Sequence, residues 1–349
     1  NEGRAVHRAR SLAEGASLVL SVPPVTVSAT HEGKLVHVCA LATTDETLKD
    51  PDFGISAAAI RLSRVAETYQ WQEEASSRKR TKLGGGEETT TTYTYKKAWS
   101  SRHIDSATFH TPSGHENPPA VQWESTTVYP QRVAFGAFML PPDLVSKIGG
   151  SEVREAEVSD EATMQARGFT PAEAGWFHSG NPSDPQVGDV RVRFEVTRPQ
   201  TVSIVAAQRG SSLEPYGAKG GSSILLLERG EVSAEAMFKA ARTSNTITTW
   251  LLRGAGFLLM FIGLALILKP IAVIGSFVPH LGSLLGAGTG LLSFCLALAV
   301  SLATMSIAWI AYRPLAAVGL LAVGGVAVVL VLRRRRPKPV VPPPLPAGR

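Results

Sequence analysis

The C-terminal third of the chain is almost continuously apolar from Leu251 to Leu332, where a run of four arginines follows. This block contains no acidic residue and only four that are Lys, Arg or His, namely Arg253, Lys269, His280 and Arg313. A helix needs about 20 apolar residues to cross the hydrocarbon core of a bilayer. The first stretch is expected to end at Lys269-Pro270. The block therefore predicts three transmembrane helices, over residues 251–268, 288–312 and 314–332.

The segment between the first two predicted spans, residues 270–287, is apolar but contains Pro279, His280 and several glycines. It could lie on the membrane surface as a helix, re-enter the membrane as a loop or form a fourth span, and we favour the surface helix. Three glycines at four-residue spacing would either permit close helix packing or form a flexible connector: Gly282, Gly286 and Gly290.

Positive charge beside the apolar block predicts its orientation, because cytoplasmic loops of membrane proteins are enriched in Lys and Arg. The basic, proline-rich tail over residues 333–349 is expected in the cytoplasm, and with three spans residues 1–249 lie on the other side. Such a domain must be translocated, and no signal peptide is visible, so we expect a further transmembrane helix before Asn1. The residues expected to set this topology or to lie at the interface are Trp250, Arg253, Trp309, Tyr312, Arg313, Arg333, Arg334, Arg335 and Arg336.

Residues 1–249 have the pattern of a β-rich, water-facing domain with a few short helices, so the fold class is α+β. An amphipathic helix is expected near the N-terminus, ending at Gly15, and another helix over Ala234–Arg242. Alternation over residues 58–100 predicts a long β-hairpin with a polar, mobile tip at about 74–88. Five aromatic residues in its strands predict either ordinary sheet packing or a platform for a ligand or partner: Tyr69, Trp71, Tyr93, Tyr95 and Trp99.

Composition and motifs exclude several classes of function. The net charge is +6, but much of the excess lies beside the membrane block, so nucleic-acid binding is not predicted. Cys39 is in the water-facing part and Cys295 in an apolar segment, so no disulfide is expected. Three neighbouring histidines match no zinc-binding spacing: His103, His110 and His115. Because no nucleophile elbow, zinc-protease motif or Walker loop occurs, we predict no catalytic, cofactor-binding or metal-binding residues and no enzyme activity.

Short patterns occur in order along nearly the whole chain, among them Asn1-Glu2-Gly3-Arg4-Ala5, Glu32-Gly33-Lys34-Leu35-Val36-His37, Tyr69-Gln70-Trp71, Val187-Gly188-Asp189-Val190-Arg191-Val192 and Tyr312-Arg313-Pro314-Leu315. In this combination the chain resembles the transmembrane protein 43 family, also called LUMA. The resemblance implies a membrane helix directly before Asn1, a large lumenal domain and further membrane helices at the C-terminus. It also implies a role in organising membrane protein complexes, with self-association. Animal members imply emerin and lamins as partners, in the endoplasmic reticulum and inner nuclear membrane.

The chain departs from the animal pattern in its proline-rich tail, its preference for Arg over Lys and its richness in Ala and Gly, which favours a bacterial member from a GC-rich genome. In that case the nuclear partners do not apply, and the expected location is the bacterial inner membrane with a periplasmic domain. Both lineages lead to one expectation: a multi-pass, homo-oligomeric scaffold that contacts membrane lipids and binds itself or other membrane proteins. The alternatives are a lipid- or small-ligand-binding module beside the membrane and, more distantly, a hydrolase-like membrane enzyme.

Overall fold

The structure is a computed structural model, and it describes residues 2–81, 87–275, 281–312 and 319 of the 349-residue chain. The helices found there are α1 (Glu2–Leu18), α2 (Pro142–Val145), α3 (Val158–Gln165), α4 (Ala234–Gly275) and α5 (Leu281–Tyr312). One compact unit comprises residues 10–242, and a second combines the chain before residue 10 with the chain from Thr243 onward. The division therefore falls inside α1 and inside α4, and the sequence-based boundary after residue 249 stays a prediction.

The strands all belong to the unit of residues 10–242. They are β1 (Leu20–Ser21), β2 (Leu35–Thr43), β3 (Thr47–Lys49), β4 (Ser56–Ala58), β5 (Arg61–Thr81), β6 (Glu87–Ser100), β7 (Thr126–Val128), β8 (Ala134–Phe135), β9 (Phe138–Met139), β10 (Glu152–Val153), β11 (Thr170–Pro171), β12 (Trp176–His178), β13 (Val190–Thr197), β14 (Gln200–Arg209), β15 (Ser212–Glu214), β16 (Tyr216–Gly217), β17 (Ser223–Ile224) and β18 (Leu226–Arg229). This content of strands and helices confirms the α+β class.

One sheet has the strand order β1-β2-β8-β9-β15-β14-β18. Because β2 also pairs with β14, the strands between them close into a ring. Alternate residues of β14, such as Val202 and Ile204, belong to one core cluster. Val205 on the other face belongs to a second cluster, with Leu12 of α1 and Phe238 of α4. Both faces of β14 are thus covered, and its residues from Val202 to Gln208 are all buried.

The other large sheet has the order β11-β12-β13-β5-β6, with β10 added to β13 and β7 to β5. Its buried face is built from alternate residues of β5 and β13, including Leu62, Ala66, Val192 and Phe194. These side chains pack around Phe53, which is 1% exposed. The sheet carries the predicted hairpin as its edge.

The two strands of the hairpin pair over a longer stretch than the sequence predicted. Pairing between β5 and β6 runs from Thr68↔Ser100 to Thr81↔Glu87 without a break. The predicted position of the tip, at about 74–88, is wrong for residues 74–81 and 87–88, because these are paired strand residues. Residues 82–86 lie outside the described part of the chain, and the mobility of the tip stays a prediction. Threonine and other strand-forming residues extend the ladder further than their polarity suggested.

Helix α1 does not end at Gly15 but continues to Leu18. A Cβ atom at Gly15 would lie 2.5 Å from Cδ1 of Ile224 and 2.9 Å from Cε1 of Phe238. Glycine is therefore needed here for close packing of the helix on its neighbours, and it does not act as a helix stop.

Helix α4 begins as predicted after Ser233, whose hydroxyl accepts a hydrogen bond from the backbone N–H of Ala236 at 3.3 Å. It then continues for 42 residues, so the helix predicted to stop at Arg242 and the first membrane span are one element. The expected end at Lys269-Pro270 is also wrong, because the helix continues to Gly275. Proline is tolerated inside membrane helices where the missing backbone bond can be compensated.

Two helical segments are long and apolar enough to span a membrane among the described residues, Ala234–Leu268 and Gly290–Ile307. Residues 281–287, predicted to belong to a surface helix, are instead the first turns of α5. The third predicted span, over 314–332, lies outside the described residues apart from residue 319. Two of the three predicted spans are therefore present as apolar helices of sufficient length, and the number three remains a prediction.

Candidate functional site

All five predicted aromatic residues share one face of the hairpin. The register places Tyr69 opposite Trp99, Trp71 opposite Lys97 and Tyr95 opposite Glu73. Side chains alternate between the two faces of a sheet, so odd-numbered residues of both strands point the same way. Tyr69 and Trp99 meet directly across the strands, with ring centroids 5.1 Å apart and ring planes tilted by 52°.

Histidines from the loop after β6 cover the middle of this aromatic face. His115 stacks on Tyr95 with centroids 3.8 Å apart and meets the ring of Trp71 edge-on at 4.7 Å. His110 stacks on Tyr93 at 4.1 Å, with ring planes 5° apart. Two of the three histidines that the sequence singled out therefore serve as ring partners.

Hydrogen bonds fix this loop to the strands beneath it. The carboxylate of Glu73 accepts from the Tyr95 hydroxyl at 2.7 Å and from the backbone N–H of His110 at 2.5 Å. Asn117 behaves like a neighbouring strand, because its Oδ1 accepts from the Trp71 N–H at 2.7 Å and its Nδ2 donates to the Trp71 carbonyl at 3.0 Å. The base of the hairpin is thus sealed by its own chain.

Hydrogen bonds in the loop after β6 favour the ionised form of the Glu116 carboxyl. Glu116 accepts a hydrogen bond from the backbone N–H of Gly114 at 2.9 Å. This bond, followed by the backbone N–H of Glu116 itself and by the nearby His115, lowers the pKa of the Glu116 carboxyl below its usual value. The group is on the surface, so the effect concerns the local turn.

A cation lies between two tryptophans where the hairpin joins the sheet. The guanidinium of Arg191 is 4.6 Å from the ring centroid of Trp99 and 4.3 Å from that of Trp176. Its Nε donates to Glu67 at 2.7 Å. His178 is buried beside Trp99, and burial, assisted by the charge of Arg191, lowers the pKa of its imidazole.

Sequence reasoning missed Trp176, Arg191 and His178 as parts of this face. Arg191 alternates with Arg193 along β13, which signals a shared face, but nothing local shows that β13 lies beside β5. Among the described residues no three His, Cys, Asp or Glu side chains come together as a metal site. The whole arrangement is built for ring stacking and cation–π contact.

Beyond the sealed base, β5 and β6 continue as a two-stranded ribbon, defined here as residues 74–81 with 87–95. Its residues that have an assigned exposure are exposed, except for the half-buried Tyr93 and Tyr95. Within the described chain β6 pairs only with β5, so its outer edge has no strand neighbour. From Thr89 to Tyr95 this edge strand carries no charge, whereas β5 contains Arg78-Lys79-Arg80.

The predicted interface residues are only partly described. Trp250 is 63% exposed, and the guanidinium of Arg253 lies 4.8 Å from its ring centroid. Arg253 also donates to both carboxylate oxygens of Glu2, a partner that no local signal predicts. The other predicted positions lie outside the described side chains: Trp309, Tyr312, Arg313, Arg333, Arg334, Arg335 and Arg336.

The glycines predicted to pack helices lie in α5. A Cβ at Gly290 would have nothing within 4 Å among the described atoms, and the side-chain surroundings of Gly282 and Gly286 are not described. Contact between α4 and α5 instead involves Phe294, which meets Phe257 at 5.5 Å and Phe261 at 6.2 Å. The packing role of the glycines remains a prediction.

Comparison with known proteins covers both the ribbon and the membrane helices. The family model for Transmembrane protein 43 matches residues 68–314, more than half of the chain. The chain belongs to the transmembrane protein 43 family. Its match begins within β5 and ends just beyond α5, so both candidate spans are included.

Curated members of the transmembrane protein 43 family are similar along nearly their whole length. Transmembrane protein 43 of Mus musculus and that of Homo sapiens are each 36% identical over 97% of this chain and 86% of their own length. The homolog of Drosophila melanogaster is 28% identical over 93% of this chain and 87% of its own. No solved structure matches the chain significantly.

Proposed function

We propose that this transmembrane protein 43 family member is a non-enzymatic, multi-pass membrane scaffold whose extracytoplasmic β-rich domain self-associates. The observation that carries the proposal is the outer edge of β6 from Thr89 to Tyr95, which is uncharged and lacks a strand neighbour in the described chain. An exposed strand edge with strand-forming residues and no charge is a template for pairing with another chain.

The two edges of the ribbon differ in a way that selects β6. Proteins protect strand edges from pairing with charged side chains, lysine above all, and β5 has three consecutive cations, Arg78, Lys79 and Arg80. Two copies of β6 could pair antiparallel without bringing like charges together over Thr89–Tyr95. Such pairing would join two ribbons into a four-stranded sheet.

Stability also favours a partner for the ribbon. A two-stranded hairpin is marginally stable in water by itself, and residues 74–80 of β5 face solvent without a further layer. Pairing with a second copy would extend the ladder on the free side. The aromatic face supports a ligand platform less well, because His110 and His115 already stack on its rings.

A matched pair of charge substitutions tests the proposal. Thr91 on β6 lies directly opposite Ser77 on β5, and their hydroxyls are 2.9 Å apart. Thr91→Lys and Ser77→Lys therefore remove the same contact, but only Thr91→Lys places a charge on the proposed docking edge. We expect Thr91→Lys to weaken self-association of the full chain at least tenfold, because like charges would then face each other.

The measurement is native mass spectrometry of the full chain in detergent across a concentration series. Ser77→Lys should associate like the unmodified chain. A chain that stays monomeric at every concentration, or equal weakening by both substitutions, would contradict the proposal.

A further inference from the structure

A second site lies where α1 meets α4 in the unit formed by the chain before residue 10 and from Thr243 onward. A groove of about 260 Å³ separates the two helices there. Glu2 and Ala5 of α1 line it, together with Asn245, Thr249 and Arg253 of α4. Sites for drug-sized molecules run from about 300 to 1,000 Å³, so this groove suits a smaller group.

The groove coincides with the point where α4 changes from polar to apolar. Before Trp250 the helix carries Asn245, Thr246, Thr248 and Thr249, and from Leu251 to Leu268 the sequence is apolar except for Arg253. Trp250 also lines the groove and is 63% exposed. Tryptophan is enriched at the level of lipid headgroups, so the groove is expected at that depth.

The charges of the groove form one close pair. Nε and Nη2 of Arg253 donate to the two carboxylate oxygens of Glu2 at 2.6 and 2.8 Å. Their side chains are only 18% and 16% exposed. The pair presents one positive and one negative group side by side, with a net charge of zero.

From this geometry we propose that the groove binds the headgroup of a zwitterionic phospholipid carrying a primary ammonium, such as phosphatidylethanolamine. The phosphate lies at the guanidinium of Arg253, since arginine presents a planar set of donors that matches phosphate. The ammonium lies at the carboxylate of Glu2. An anionic headgroup without the ammonium gains the same phosphate contact but meets the carboxylate unfavourably.

The acyl chains give the lipid an advantage over a soluble headgroup. The α4 surface beyond the groove exposes large apolar side chains, including Leu251, Leu258 and Leu259. Apolar chains lying along this surface add contact that free phosphoethanolamine lacks. The groove contains no residue of the ribbon, so the tests of self-association and of lipid binding can fail independently.

The test offers the full chain in detergent an equal mixture of phosphatidylethanolamine and phosphatidylglycerol and counts retained lipids by native mass spectrometry. The unmodified chain should retain at least threefold more phosphatidylethanolamine. Excess phosphoethanolamine in solution should not displace the lipid, and displacement by that excess would overturn the assignment to a lipid. Equal retention of the two lipids would overturn the proposal.

Glu2→Gln removes the anion and leaves Arg253, so it should shift the retained ratio at least tenfold toward phosphatidylglycerol. Glu235→Gln is the matched control, because it removes the same charge from an exposed position in the first turn of α4, outside the lining of the groove. If both substitutions shift the ratio equally, the effect is one of net charge and the proposal fails.

Ala5→Phe fills the groove without changing its charges and should reduce retention of both lipids at least fivefold. Circular dichroism of each variant shows that the helices are intact. An Ala5→Phe chain with normal helix content and unchanged lipid retention would also refute the site.

Discussion

Arg64 is a cation that the fold buries almost completely, at 4% exposure, near the start of β5. Its Nη1 donates to Asp50 at 2.8 Å and its Nη2 to Asp52 at 2.5 Å. Asp50 also accepts the backbone N–H of Phe53 at 2.7 Å, and the guanidinium lies over the Phe53 ring. The Asp50 carboxylate therefore stabilises the turn at Phe53 and pairs with the buried Arg64 near the start of β5.

Asp50→Ala should destabilise the protein by about 2–4 kcal/mol, because it leaves the buried Arg64 with only the exposed Asp52 as a carboxylate partner and removes the acceptor of the Phe53 N–H. Denaturant unfolding of the full chain in detergent, followed by tryptophan fluorescence, measures this. Trp123 lies 4.8 Å from Phe53 and reports on the region.

The control for Asp50→Ala is Arg198→Ala, which breaks an ion pair with Glu152 whose side chains are 65% and 54% exposed. It should cost less than about 1 kcal/mol. Equal losses from the two substitutions would show that the Asp50–Arg64 pair contributes no more than a surface contact.

At the scale of elements, α1 is bound to the loop between β16 and β17 as well as to the core. The carboxylate of Glu14 accepts the backbone N–H groups of Lys219 and Gly220, each at 3.1 Å. The hydroxyl of Ser11 accepts the N–H of Ser222 at 3.0 Å. The helix also packs closely on β17 and α4, where Gly15 has no side chain to separate it from Ile224 and Phe238.

Gly15→Val should cost about 1–3 kcal/mol by overpacking this contact. Gly217→Val in β16 is the control, since a Cβ there meets nothing within 4 Å, and it should change stability by less than about 0.5 kcal/mol. Thermal unfolding of the full chain measures both. If Gly15→Val is as stable as the control, the helix is free to move away and the close packing is not required.

At the scale of the whole molecule, the chain joins a β-rich unit to helices of membrane-spanning length. Two candidate spans by themselves place the segments before and after them on the same side of a membrane, and three place them on opposite sides. The arginine run predicts the second arrangement, with the tail in the cytoplasm and the β-rich domain outside it. Sidedness is therefore the property that distinguishes the two topologies.

Single cysteines at Ser77 and Ala347, in a Cys39→Ser, Cys295→Ser background, decide this with a membrane-impermeant maleimide. We expect Ser77→Cys, which lies off the proposed docking edge, to react from the extracytoplasmic side of sealed membranes. Ala347→Cys should react only after permeabilisation. Labelling of both from one side would rule out three spans.

The sequence by itself determined two apolar helices of membrane-spanning length, the hairpin and the family. Membrane helices are predictable because the bilayer imposes a length and an apolar composition on each segment separately. The hairpin over 58–100 is predictable because alternation and strand propensity are local. Strand pairing extends into the predicted tip because threonine forms strands despite being polar. Gly15 was misjudged because a helix stop and a close contact look the same in sequence.

Only the tertiary structure decided how these parts meet. The ring closure between β2 and β14, the stacking of His110 and His115 on the hairpin, and the pair of Glu2 with Arg253 join residues that are distant in sequence or lie in segments without periodicity. Such contacts depend on packing and desolvation of the whole fold, and no local pattern encodes them. The sequence shows that β6 is uncharged from Thr89 to Tyr95. Its exposure as an edge depends on which strands pair, because an edge exists only once a sheet has formed.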